Sequence, residues 1–257
     1  MRFLYLSIIE RGVHMKIARN VEMLEITGER GTLYPVLLWE GNEFILIDTA
    51  FPGQTDALKK AVKEAGCSFE GITKVILTHQ DFDHIGSAKA LSCMGAEMFA
   101  HELEAPYIQG DKTSIRLSDM ESRLDELDEG ERAFYERMKK GAPYFFVHVD
   151  KLLNDGERLD LCGGIRIIHT PGHTPGHIAV LLEESGIIIA GDAANIDDGK
   201  LVGSDPQFTK DMGEAGSSFL KMMAANPTAF VCYHGGYIKV KEGVSALPIA
   251  LATFDEE

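Results

Sequence analysis

The sequence predicts a mixed fold of α-helices and β-strands, and three observations carry that expectation. Short apolar runs suited to buried strands alternate with stretches of helix-forming residues. These pieces come in two sets, before and after a charged, helix-patterned segment at about 101–150. Several apolar runs also end abruptly in histidine or aspartate beside small residues. At 257 residues, 45% hydrophobic and 25% charged, the composition is that of an ordinary globular protein. No repeat or Pro/Gly-rich linker divides the chain, so one domain over 1–257 is expected. Met15 opens a second plausible start, which makes residues 1–14 an upstream extension or a loosely attached strand.

Taken in order, Pro35-Val36-Leu37-Leu38-Trp39, the turn Gly41-Asn42 and Phe44-Ile45-Leu46-Ile47-Asp48 read as a hairpin of two buried strands. Good helix formers fill 57–65, and Gly66 suits a C-cap. Residues 74–77 make a third strand, and a short helix follows at 87–94. Ser118-Asp119-Met120-Glu121 has a capping-box pattern, which places a helix start there. Met120, Leu124, Leu127, Phe134 and Met138 follow at helical spacing and predict an amphipathic helix or helical pair on the core. Its acidic run belongs on a solvated face. Strands return at 165–169, 178–182 and 187–190, then a helix around 217–225 and a final strand at 229–232. These elements alone establish no more than a mixed α and β class.

A formal net charge of −15 speaks against a general nucleic-acid binder, because phosphate contacts need a basic surface. It leaves room for an enzyme whose metal ions supply positive charge locally. The same outer field favours neutral or weakly charged small molecules as partners. Cys67, Cys93, Cys162 and Cys232 form no C-x-x-C pair and read as reduced, mostly buried residues. No run approaches the ~18 apolar residues of a membrane span, and the short apolar N-terminus lacks a small-residue cleavage site. A cytoplasmic protein is the expectation, and the sequence does not specify its oligomeric state.

The chemistry concentrates in Thr78-His79-Gln80-Asp81-Phe82-Asp83-His84, directly after the apolar Val75-Ile76-Leu77. Two imidazoles and two carboxylates within six residues repel one another unless a cation organises them. Three further positions stand at the ends of apolar runs. His173 lies in Thr170-Pro171-Gly172-His173-Thr174-Pro175-Gly176-His177, Asp192 in Ala190-Gly191-Asp192-Ala193, and His234 in Cys232-Tyr233-His234-Gly235-Gly236. Glycine beside such a side chain lets the backbone turn sharply and approach an ion. One histidine alone would be an ordinary core or surface residue; four segments with matching chemistry argue otherwise. The chain carries no G-x-S-x-G elbow, P-loop or dinucleotide fingerprint to compete.

The spacing His-x-(His/Asp)-x-Asp-His resembles the signature of the metallo-β-lactamase superfamily, with Asp81 standing where most members carry a second histidine. The resemblance spans roughly 34–236. It implies a four-layer αβ/βα sandwich with a helical insert, holding two divalent metal ions at one edge of the packed sheets. Carried over by position, His79, Asp81 and His173 would hold the first ion, and Asp83, His84 and His234 the second. Asp192 would bridge them, and Asp83 is also assigned the catalytic role. Asp48 resembles an early aspartate that supports the site without binding metal. Zinc is the leading expectation; iron or manganese are the alternatives because a carboxylate at 81 hardens the ligand set.

The implied reaction is attack by a metal-bridged hydroxide on an ester, lactone or thioester of a small molecule. The flavin-linked diiron oxygen reductases of the superfamily resemble this chain at Asp81, so a non-haem diiron oxidoreductase is one alternative. A metal-stabilised binding protein without catalysis is another. The insert resembles that of acyl-homoserine-lactone lactonases, but their active-site tyrosine is missing, since Ala193-Ala194-Asn195-Ile196 follows Asp192. His169 and His177 are expected to support the site, and His101 is a candidate for the pocket wall.

Overall fold

The computed structural model describes residues 14–240. In chain order it holds β1 (His14–Ala18), β2 (Val21–Leu24), β3 (Ile26–Gly28), β4 (Gly31–Leu33), β5 (Val36–Glu40), β6 (Glu43–Ile47), α1 (Thr55–Glu64) and β7 (Lys74–Ile76). Then come α2 (Phe82–Ile85), α3 (Ala88–Cys93), β8 (Glu97–His101), α4 (Ala105–Ile108), α5 (Ile115–Ser122), α6 (Glu129–Gly141) and β9 (Lys151–Leu153). The second half runs β10 (Arg158–Leu159), β11 (Ile165–His169), β12 (Ile178–Leu182), β13 (Ile187–Ile189), β14 (Ala194–Asp197), β15 (Lys200–Gly203), α7 (Met212–Ala224), β16 (Ala229–Cys232) and β17 (Gly236–Lys239).

Two sheets follow from the two sets of apolar runs. The first has the order β1-β2-β5-β6-β7-β8-β9 and the second β10-β11-β12-β13-β16-β17. Strands bury both faces because successive side chains point opposite ways. Val36 and Leu38 of β5, with Ile45 and Ile47 of β6, face Ile165, Ile167, Val180 and Ile189 of the second sheet. The intervening Leu37 and Leu46 belong to the cluster on the other face of the sheet, with Leu58, Ala61 and Val62 of α1 and Met120, Tyr135 and Met138 of the insert. On the far side, Ala179, Ile188 and Phe230 pack against Phe219 and Met222 of α7. The layers are therefore helix, sheet, sheet, helix, as the family resemblance implied.

The hairpin, the strand at Lys74 and the strands of the second half form where the sequence placed them. Gly66, at φ +82°, is the residue just past the C-cap Ala65, a backbone conformation only glycine adopts freely. Three expectations need correction. Ser118 does not open a helix; it lies inside α5, whose N-cap is Ser114. The capping box sits instead at Asp128, whose side chain accepts the Glu131 amide at 2.8 Å while Glu131 accepts the Asp128 amide at 3.0 Å. The helix expected from 217 begins at Met212, because Asp211 caps it through the Glu214 amide. Of the four cysteines, all free, only Cys232 is buried, and Cys93 is exposed. The expectation for residues 1–14 falls outside the described residues, apart from His14. No helix among the described residues is long and apolar enough to cross a membrane.

Candidate metal centre

The parallel strand β7 stops at Ile76, and the chain then turns through Thr78–Asp81 into the single-turn helix α2. Asp81 caps that turn and α2 carries Asp83 and His84, so four donors leave one strand end within a few residues. His173 comes from the loop between β11 and β12, Asp192 from the residues after β13, and His234 from the turn between β16 and β17. All seven predicted residues meet at one edge of the two sheets.

Their geometry is fixed from behind. Asp48, at φ +61°, accepts hydrogen bonds from the Thr78 amide (2.9 Å), the Thr78 hydroxyl (2.8 Å) and His84 Nδ1 (2.9 Å). That last bond puts the His84 proton on Nδ1 and leaves Nε2 facing the other donors. The Thr78 hydroxyl, already donating to Asp48, accepts from His79 Nδ1 at 3.1 Å, with the same consequence for His79. The Asp192 amide donates to His177 Nε2 at 3.0 Å, which requires His177 to donate through Nδ1 to Thr170 Oγ1 at 2.8 Å. Burial, reinforced by the neighbouring imidazoles of His79 and His173, holds His177 well below the usual histidine range, so it stays neutral.

In front of these supports the donor atoms converge. Asp81 Oδ2 lies 3.4 Å from His173 Nε2 and 3.7 Å from His79 Nε2. Asp83 Oδ2 lies 3.2 Å from His234 Nε2 and 3.8 Å from His84 Nε2. Asp192 reaches both sets, with Oδ1 3.4 Å from His84 and Oδ2 3.6 Å from His173 and 3.4 Å from His234. Among the described residues, three groups have ligand atoms all within 4.8 Å of one another: His79, Asp81 and His173; Asp83, His84 and His234; His79, His84 and Asp192.

The donor set fits divalent ions. Nε2 of His79, His84 and His173 and Oδ1 of Asp192 are buried without a hydrogen-bond partner among the described residues. Buried polar atoms left this way are costly unless something else satisfies them. Imidazole nitrogens with carboxylate oxygens are the donors that zinc, iron and manganese accept. Charge points the same way. Burial pushes the Asp81 carboxyl up, but the facing imidazoles of His173 and His79 outweigh it and hold it well below the usual range. Burial pulls His234 down, but the Asp192 and Asp83 carboxylates outweigh it and push it up to about 10. The cage thus attracts positive charge wherever it can be placed.

A cavity of about 600 Å³ opens onto Asp81 and His173, walled by Arg30, Arg116, Met120, Phe134, Phe208 and Lys210 among others. His101 is not part of this wall. It stacks on His169 with ring centroids 4.3 Å apart, and His169 Nε2 donates to the Pro175 carbonyl in the His173 loop. Sequence reasoning missed two supports. Tyr233 donates to the Asp83 carbonyl (2.7 Å), accepts the Ala50 amide (3.0 Å) and packs on the His84 ring at 4.0 Å. Its place beside His234 was the one available signal. Glu104, fully buried, accepts from the Gln80 amide at 3.0 Å and from the Gly176 amide at 2.8 Å, and had no signal at all.

The family model described as the metallo-beta-lactamase superfamily matches residues 34–235. The chain belongs to the metallo-beta-lactamase superfamily. It is 28% identical over 255 residues to the probable metallo-hydrolase YflN of Bacillus subtilis, covering 91% of this chain and 90% of that one. It is 30% identical over 225 residues to the uncharacterized protein YobT of the same organism, covering 80% and 86%. A metallo-beta-lactamase family protein from Thermus thermophilus superposes with a TM-score of 0.72 at 24% identity, over 92% of this chain and 79% of the other. That last likeness is one of fold. Within the superfamily fold, the seven donors of this chain lie at the sheet edge where the resemblance implied a site.

Proposed function

We propose that this metal-dependent hydrolase holds two divalent ions, zinc first and iron or manganese as alternatives, and hydrolyses an ester, lactone or thioester of a small molecule. The placement of Asp192 carries the reading. One carboxylate lies within 3.4–3.6 Å of His84, His173 and His234, which belong to the two different donor groups. It is the proposed bridge, with His79, Asp81 and His173 on one side and Asp83, His84 and His234 on the other. When bound there, such ions would supply Lewis-acid chemistry, making water more acidic and a carbonyl more electrophilic. The chain's own residues supply the rest. Asp48 and Thr78 aim the His84 and His79 nitrogens, and His177 holds the Asp192 backbone in place. The Asp83 carboxylate, on the His234 side of the cage, is the proposed proton acceptor. The cavity beside Asp81 and His173 receives the substrate.

The test is metal analysis of the purified chain together with a panel of esters, lactones and thioesters. Close to two equivalents of metal, and activity lost on chelation and regained on reloading, are expected. Activity that survives complete chelation would overturn the reading. A second reading, a non-haem diiron oxidoreductase, draws on the carboxylate at Asp81. Iron content with donor-coupled oxygen uptake, and no turnover across the panel, would favour it instead.

A further inference from the structure

The cavity beside the cage has a local charge opposite to that of the chain. Its wall holds Arg30, Arg116, Arg123 and Lys210 against the carboxylates of Asp81, Asp119 and Glu131, an excess of one positive charge in a protein of net charge −15. Two of those cations are engaged. Lys210 lies 2.8 Å from Asp119, and Arg123 reaches Glu131 at 3.9 Å. The other two have no carboxylate or carbonyl partner among the described residues. Arg30, in the turn between β3 and β4, lies over the Phe134 ring at 4.5 Å from its centroid and over Phe51 at 5.8 Å. Arg116, on α5, lies over Phe208 at 4.6 Å.

A ring contact of this kind uses none of the arginine's N–H donors in a conventional hydrogen bond, and those donors form a planar fork that matches a carboxylate. The ring contact also restricts the side chain, so less freedom is lost when an anion binds. Negative charge elsewhere on the surface is screened over roughly 8 Å at physiological salt, so it does not cancel cations inside the cavity. Ile115, Met120, Phe134 and Phe208 supply apolar wall in the same cavity as these groups and Asp81 and His173. We propose that Arg30 and Arg116 bind a carboxylate at the far end of the substrate, whose acyl group lies at Asp81 and His173. The substrate class is then an ester, lactone or thioester carrying one remote free carboxylate. The single excess charge suits a monoanionic group better than a phosphate dianion. This inference rests on the hydrolytic reading for the acyl end only.

The experiment compares 4-nitrophenyl hydrogen glutarate with neutral 4-nitrophenyl pentanoate on the metal-loaded protein, wild type and with Arg30→Met and Arg116→Met. Loss of a charge-assisted hydrogen bond predicts about a tenfold or greater fall in kcat/KM for the glutarate ester in each variant, mostly through KM. The pentanoate kcat/KM should fall much less, so that the glutarate-to-pentanoate ratio drops about tenfold in each variant, and the preference for glutarate should shrink with added salt. Equal rates on both esters in the wild type, or an equal loss on both esters in the variants, would overturn the inference. Calorimetric binding of glutaramate, a monoanion with no ester bond, to the metal-loaded protein gives a readout independent of turnover. Binding weakened about tenfold by each substitution supports the anion site even if no ester is hydrolysed, in which case the hydrolytic reading alone fails. Binding indifferent to both substitutions overturns the anion site. Unchanged melting temperatures confirm that the variants fold.

Discussion

The buried carboxylate of Glu104 accepts the Gly176 amide at 2.8 Å and, through its other oxygen, the Gln80 amide at 3.0 Å and the Gln80 side chain at 3.2 Å. One residue of the insert thereby ties the loop of His79 and Asp81 to the loop of His173. Glu104→Gln keeps the volume but turns an NH₂ group toward donors. The expected cost is about 1–3 kcal/mol of folding stability, because buried amides lose their acceptor. Metal affinity should fall roughly 10–100-fold, the usual effect of removing a support that orients ligands. Urea denaturation and metal titration check the two effects separately, and unchanged values in both would remove Glu104 from this role.

Gly191 sits at φ +53° immediately before Asp192, and a Cβ there would lie 2.6 Å from His177 Nε2 and 3.1 Å from Thr78 Cβ. Gly191→Ala should therefore displace the imidazole that holds the Asp192 amide. A loss of about 1–3 kcal/mol is expected from overpacking, with metal content dropping in parallel. Elemental analysis of the folded variant reads the second effect directly. A variant that keeps its full metal complement would show that His177 does not position Asp192.

Asp81 departs from the commoner histidine of the superfamily, and its Oδ2 lies 3.4 Å from His173 Nε2. Under the proposed ligand assignment, Asp81→His softens the donor set and should raise the zinc-to-manganese ratio recovered after competitive loading. The measurement is elemental analysis after equilibration with an equimolar mixture. An unchanged ratio would mean that Asp81 does not contact the ion.

Asp155 links three pieces of chain near the His173 loop. Its Oδ1 accepts from Lys221 Nζ of α7 at 2.7 Å and from the His169 amide at 2.8 Å. Partial burial pushes its pKa up, but the Lys221 ammonium and the His169 amide outweigh this and leave it below the ordinary 3.8. A depressed folded-state pKa stabilises the protein above the unfolded value, and the contribution is lost as the pH falls through the folded one. Asp155→Asn should then cost about 0.2–1 kcal/mol at pH 7, the range for a largely exposed pair. The difference from wild type should narrow as the pH drops below 3.8. Denaturation at about pH 7 and at about pH 3.5 checks the sign; a gap that widens in acid would contradict it.

Strands β1, β2, β8, β9 and β10 of the two sheets were not anticipated from the sequence. Strands β5, β6, β7, β11, β12, β13 and β16 were legible because burial on both faces forces apolar residues at nearly every position, as at Val36, Leu37 and Leu38. The seven donors were legible because each follows such a run. The hairpin of β14 and β15 and the strand β17 were not, since their half-exposed positions carry little apolar signal. Ser118 misled because a local pattern cannot report that Gln80 Oε1 receives the Ile115 amide at 2.9 Å and so sets the start of α5. Glu104 and Arg30 were invisible for the same reason: their partners lie far away in sequence.

Each of the three donor groups draws on both sheets. His173, Asp192 and His234 come from the second, and every group contains at least one of them beside donors that follow β7 of the first. A chain severed within the insert would leave four donors on one fragment and three on the other, with no complete group on either. Ion capture by a mixture of the two fragments would then report their reassembly, which makes the cage a sensor of whether the two halves of the sandwich have docked.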